Sequence, residues 1–184
     1  LGDGTTANTT KFHKVKGENG VGYLQNIVQI VSEDHTSHAL TADGSVYSWG
    51  YNYYGQFGNK TASGNANTYP VKMQKVSNII QMSTGEEHIS MLDADGSVWS
   101  VGSNGNGQFG TNNDSGTSLP TQMLDTDGKS ILYGVKEIAS GRDHTVLIKE
   151  DNTVWSVGWN GAGALGQGIT RQYTTVIGQV KEQV

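Results

Sequence analysis

Apolar residues in this chain come in short bursts broken by glycine, asparagine and aspartate, and no ten-residue stretch spaces them as an amphipathic helix would. The bursts Val46-Tyr47-Ser48-Trp49, Val98-Trp99-Ser100-Val101 and Val154-Trp155-Ser156-Val157 carry large apolar groups at odd and even positions alike. Successive strand residues point to opposite faces, so these strands need cover on both sides. Each follows a turn dipeptide, Asp43-Gly44, Asp95-Gly96 or Asp151-Asn152, whose second residue suits positive φ. The pattern predicts an all-β chain with strands over 27–31, 36–41, 45–49 and 69–76 in its first unit. A strand over 11–16 precedes them, and one over 174–181 ends the series.

The same pattern recurs along the chain. ALTADGSVYSWGYNYYGQFG ends at Gly58, MLDADGSVWSVGSNGNGQFG at Gly110 and LIKEDNTVWSVGWNGAGALG at Gly166. Upstream of each, Ile27, Ile79 and Val135, then Ile30, Met82 and Ile138, occupy equal slots. Leu1-Gly2 sits in the slot of Phe57-Gly58, so the chain opens on the tail of a repeat. Residues 1–26 therefore read as the fourth strand of a preceding unit and its loop, and 27–78, 79–134 and 135–184 as three units. Insertions at 17–25 and 125–133 fall in one part of the repeat, which maps them to loops.

Each recurrent slot has a physical task. Gly44 and Gly96 make hairpin turns, Gly50, Gly102 and Gly158 end strands, Gly55, Gly107 and Gly163 open the next turn, and Gly58, Gly110 and Gly166 end the repeated signature. Asn52, Asn104 and Asn160 are expected to fold their side chains onto nearby backbone. Ser48, Ser100 and Ser156 mark tight contacts between sheets stacked roughly 10 Å apart.

A unit that joins Gly85-Glu86-Glu87-His88 or Gly141-Arg142-Asp143-His144 to the DG-x-V, G-x-N and GQ-x-G slots resembles the regulator of chromosome condensation repeat. The resemblance covers essentially the whole chain and implies an incomplete β-propeller of about three four-stranded antiparallel blades plus an extra strand. Two departures stand out. The first repeat has Glu33 and Thr36 in the G-x-x-H slots, with His35 one place early, and the third has Ala164 in place of Gln56 and Gln108, which predicts a lost loop hydrogen bond. The family forms seven-bladed rings, so this count of blades implies a piece of a longer protein or chains that associate to complete a ring.

Charge narrows the partners. A net charge of -5 with scattered basic residues argues against nucleic acid, because phosphate binding needs clustered Lys and Arg. No apolar run approaches the roughly 18 residues of a membrane-spanning helix. Zero cysteines remove thiolate chemistry and disulfides. A Thr- and Asn-rich, Cys-free, acidic composition suits a secreted or surface protein of a bacterium.

Candidate chemistry is sparse. His88 and His144 share a repeat slot, and equivalent points on stacked blades lie roughly 10 Å apart, too far to share a metal, so they are expected to serve as structural hydrogen-bonding residues. His35 and His38 fall on opposite strand faces. Asp125-Thr126-Asp127-Gly128 starts like a calcium loop but continues with Lys129, which makes it a plain turn. Glu86 and Glu87 read as a solvated loop. No catalytic constellation, metal site or cofactor-binding motif is present in the sequence. Slots that vary between repeats are free to serve binding, and aromatic residues there are typical recognition anchors. Tyr51, Tyr53, Tyr54 and Trp159 are therefore the candidate partner-binding residues, with Arg142 beside them.

The expected function is a non-catalytic protein–protein interaction module that uses the loop face of a propeller. The resemblance also leaves open a structural or assembly block of a larger bacterial surface protein, and a guanine-nucleotide-exchange-like or enzyme-inhibiting propeller. The expected partner is another protein, with self-association as a second possibility, no nucleic acid and no membrane insertion.

Overall fold

The computed structural model describes residues 1–181; the last three residues of the unit expected over 135–184 lie outside the described residues. Twelve strands form three four-stranded antiparallel sheets. The first holds β1 (Ile27–Glu33), β2 (Thr36–Thr41), β3 (Val46–Asn52) and β4 (Ser63–Lys72) in that order. The second holds β5 (Ile79–Thr84), β6 (His88–Asp93), β7 (Val98–Gly102) and β8 (Thr117–Gln122). The third holds β9 (Val135–Ser140), β10 (His144–Lys149), β11 (Val154–Trp159) and β12 (Tyr173–Gln179). No α-helix occurs among the described residues, and Glu18–Gly20 and Gly161–Gly163 are single 3-10 turns.

Local chemistry sets the hairpins. In the β2–β3 turn the Gly44 amide donates to the Thr41 carbonyl at 2.9 Å, and Gly44 has φ +78°. Gly96 repeats this at φ +78°, and Asn152 fills the slot at φ +67°, the substitution that costs least in the left-handed region. Gly50, Gly102 and Gly158 stand where a Cβ would strike the carbonyl oxygens of His35, Glu87 and Asp143. Strand β3 and its equivalents can therefore press against the turn that enters β2 only because the side chain is absent.

The sheets stack face to face, and the apolar groups that face the two seams find cover, while Ile30 and Val154 of the two outer sheets stay exposed. Leu40, Val46 and Met73 of the first sheet pack with Ile79, Met82, Ile89, Met91 and Val101 of the second. Leu92, Val98 and Met123 of the second pack with Val135, Ile138, Leu147, Val157 and Ile177 of the third. Polar groups stitch the same seams. The Gln29 amide group donates to the Met82 carbonyl at 2.9 Å and accepts from the Met82 amide at 2.7 Å. Gln81 repeats both bonds on Ile138, at 3.1 and 3.0 Å. At the outer edge, the Lys60 amide donates to the Ser118 carbonyl and the Asn112 amide to the Thr175 carbonyl. Gly4, in the same repeat slot, donates to Thr68 at 2.9 Å, so the first residues of the chain lie on the first sheet as each later loop lies on the next sheet.

Three expectations change. Residues 11–16 form no continuous strand: pairing is confined to their end, where Lys16 bridges to Tyr23, the Leu24 amide donates to Val15 at 3.2 Å and the Lys16 amide donates to Gly2 at 2.8 Å. The fourth strand of the first unit starts at Ser63 rather than near 69, since irregular pairing opposite Gly50 and Asn52 carries it back along β3. His88 is not a hydrogen-bonding residue: both its ring nitrogens lack a partner, as does Nδ1 of His144. The His88 ring is packed instead beneath Gly85 and beside Phe109, with ring centroids 6.3 Å apart.

Candidate protein-binding face

Antiparallel pairing brings the β1–β2 turn and the β3–β4 loop to the same end of a sheet. The Tyr51 amide donates to the His35 carbonyl at 3.0 Å, Ser103 to Glu87 at 2.9 Å and Trp159 to Asp143 at 2.9 Å. Within each loop, the buried asparagine holds the backbone. Asn52 accepts from the Phe57 amide at 3.0 Å, Asn104 from Phe109 at 2.9 Å and Asn160 from Leu165 at 3.2 Å. Gln56 and Gln108 add a bond to the Tyr54 and Asn106 amides. Ala164 cannot, and there the chain makes its 3-10 turn while Gln167 reaches back to the Ser156 carbonyl at 2.8 Å.

On this scaffold three of the candidate residues form one row. His35 meets Tyr51 edge-on with centroids 6.4 Å apart, Tyr51 stacks on Tyr53 at 6.0 Å and 11°, and Tyr53 meets Tyr54 edge-on at 5.0 Å. Tyr53 is 56% exposed and Tyr54 38%. The row crosses to the second sheet, where the Glu87 carboxylate, as hydrogen-bond partner and nearby negative charge, raises the Tyr54 phenol above its ordinary pKa. Sequence reasoning missed the parts played by His35 and Glu87, because both belong to turns that only antiparallel pairing carries to the loop.

Arg142 lies on the same face but is engaged. Its Nε is 2.5 Å from a Glu86 carboxylate oxygen and 3.6 Å from one of Asp143. Glu86 is thus an ion-pair partner across two sheets, not merely a solvated residue. Trp159 is separate from the tyrosine row. It pairs across strands with Tyr173, whose hydroxyl donates to Asp114 at 3.4 Å.

Burial lowers the pKa of His38 to about 3 and that of His88 to about 4, the latter with help from His144, so both rings are neutral. His38 sits 2.8 Å from the Ser48 hydroxyl, whereas His35 lies on no strand, contrary to the strand-face expectation, but in the exposed turn between β1 and β2. Asp127 bonds the Lys129 and Ser130 amides and the Ser130 hydroxyl, which lowers its pKa to about 2. That geometry is a closed turn. No group of three or more His, Cys, Asp or Glu residues able to hold a metal occurs among the described residues, and no helix there is long and apolar enough to cross a membrane.

The pattern of the regulator of chromosome condensation (RCC1) repeat matches residues 43–92 and 95–148, and a second pattern of that repeat matches 27–56, 79–108 and 135–164. The chain belongs to the RCC1 repeat family. RCC1 relatives include the ultraviolet-B receptor UVR8 of Arabidopsis thaliana, 32% identical over 76% of this chain and 32% of that protein. The regulator of chromosome condensation of Xenopus laevis is 32% identical over 80% of this chain and 34% of that protein. The probable E3 ubiquitin-protein ligase HERC3 of Homo sapiens is 29% identical over 78% of this chain and 13% of its own length. The chain thus spans about a third or less of the length of these relatives. Among solved structures, Prp20p of Saccharomyces cerevisiae superposes with a TM-score of 0.74 at 26% identity, covering 86% of this chain and 39% of that one, and is described with its binding to Gsp1p and histones. The fold is an RCC1-type propeller arrangement, all-β, built from three of its sheets.

Proposed function

We propose that this chain is a non-catalytic protein-interaction module that grips its partner with the loop face carrying Tyr51, Tyr53 and Tyr54. The row of stacked, exposed rings supports this reading most directly. Tyrosine presents large apolar area with few rotatable bonds, and rings already ordered by one another lose little freedom when a partner covers them. Relatives that include a receptor, a chromosome-condensation regulator and a protein described with its binding to Gsp1p and histones fit an interaction role. The double variant Tyr53→Ala/Tyr54→Ala is expected to lose partners that the parent chain retains from an extract of the source organism, with unchanged circular dichroism. Equal retention by both chains would remove the face assignment.

A second reading, an assembly block, is favoured by the sheet edges. Ile30 is 74% exposed, whereas Met82 and Ile138 in its slot are 2% and 3% exposed beneath a neighbouring sheet. The edge at β1 thus offers the contact that the two internal seams satisfy, and a further sheet of this repeat type would cover it.

A further inference from the structure

The three turns beside the tyrosine row read Glu33-Asp34-His35, Gly85-Glu86-Glu87 and Gly141-Arg142-Asp143, five carboxylates against one arginine. That arginine is occupied by Glu86 and Asp143. Glu33 and Glu87 have no lysine or arginine within salt-bridge distance among the described residues, and Asp34 has only His35, 3.6 Å away. Carboxyl-bearing residues therefore bound the row at both ends: Asp34 beside His35, and Glu87, whose carbonyl packs with the Gln56 side chain of the tyrosine loop around Gly102. Glu33 and Glu86 line the polar cleft between the turns.

An aromatic face carries negative potential, so exposed tyrosine rings flanked by unpaired carboxylates attract cations, with guanidinium the best match because it stacks on rings and pairs with carboxylates. Phosphate backbones are repelled by the same charges. Spacing adds a constraint. Same-side residues of an extended chain lie about 6.6 Å apart, close to the 6.0 Å between Tyr51 and Tyr53.

We propose that the His35–Tyr51–Tyr53–Tyr54 row, bounded by Asp34 and Glu87, binds an extended, arginine-bearing segment of a partner protein. This deepens the interaction reading above and rests on it. One guanidinium stacks on the exposed face of Tyr53 and pairs with Glu87, and a second, two residues away, lies over Tyr51 and reaches toward Asp34.

The test uses the whole chain and a fluorescent octapeptide of alternating glycine and arginine, with glycine–serine and glycine–glutamate octapeptides as controls, read by anisotropy. Saturable binding of the arginine peptide alone is expected. Tyr53→Ala should weaken it about tenfold and Glu87→Gln several-fold. Asp95→Asn, on a turn at the opposite end of the second sheet, should leave it unchanged. No saturable binding, equal binding of the serine peptide, or equal loss in Asp95→Asn would each overturn the proposal. A photo-crosslinking residue at position 53 separates this proposal from its parent. If the arginine peptide fails while position 53 crosslinks a partner through a non-basic segment, the charge inference falls and the interaction reading stands; if neither binds, both fall.

Discussion

Single residues carry the repeat by what they forbid. A side chain at Gly50 meets the His35 carbonyl and must also adopt φ +100°, so Gly50→Ala is expected to cost about 2–4 kcal/mol, whereas Gly134→Ala, strained at φ +72° but in open space, should cost about 1 kcal/mol. Urea unfolding of both variants checks the difference. The buried histidines make a second prediction. In the unfolded chain His38 and His88 titrate near 6.5, but in the fold burial holds them near 3 and 4. As pH falls below 6.5 the unfolded chain takes up protons that the folded one refuses, so the contribution of these two groups to stability is lost progressively between pH 6.5 and about 3. The urea midpoint should be lower at pH 4.5 than at pH 7.5, and His38→Asn should reduce that dependence. Sequence placed the glycines correctly because steric rules act locally. It misjudged His88 because a histidine in a recurring slot can be selected for shape: Gly85 and Phe109 show a ring-shaped space with no hydrogen-bonding group facing it.

At the scale of elements, the β3–β4 loop is a miniature fold organised around one asparagine. Asn104 accepts from the Phe109 amide and donates to the Asn113 and Ser115 carbonyls, all from a side chain 1% exposed. Asn104→Ala strands those groups, and the expected cost is about 2–4 kcal/mol with lost hydrogen-exchange protection at Phe109. Retained protection would mean that the loop is held by its neighbours instead. Asparagine's turn role was legible in the G-x-N spacing, and the loss of the glutamine bond at Ala164 was legible from its side chain. The different bonds made by Gln167 were not, since Gln167 lies outside the recurring slots and donates to the Ser156 and Gly178 carbonyls of β11 and β12, 2.8 and 3.2 Å away. Likewise the candidate tyrosines were visible as departures from the repeat, while the row they build with His35 and Glu87 needed two sheets in register.

For the whole molecule, the seams between sheets determine what the edges can do. Gln29 and Gln81 each clamp the inner strand of the next sheet, and Glu137 holds their slot on the third sheet, exposed. A carboxylate there can accept from a neighbouring amide as the glutamines do, but it cannot donate to the carbonyl beside it. At the outer rim Gly168 occupies the slot of Lys60 and Asn112 with φ +68°, and its amide makes no backbone bond among the described residues. The opposite edge presents Ile30, whose slot is a buried contact in both internal seams. The inner parts of the two edges repeat the halves of one seam and are complementary in the head-to-tail sense, whereas the outer acceptor on the first sheet, Thr68, is already taken by Gly4, so separate copies of this chain should bind through the inner parts of their edges. Light scattering is expected to give a mass above 19.6 kDa that rises with concentration, and Ile30→Lys should return it to 19.6 kDa by placing a charge where a neighbouring sheet would cover it. The loop face should be untouched by that change, so arginine-peptide binding persists in the Ile30→Lys monomer if the two surfaces are independent. A parent chain that stays at 19.6 kDa throughout would overturn edge-to-edge binding of separate copies.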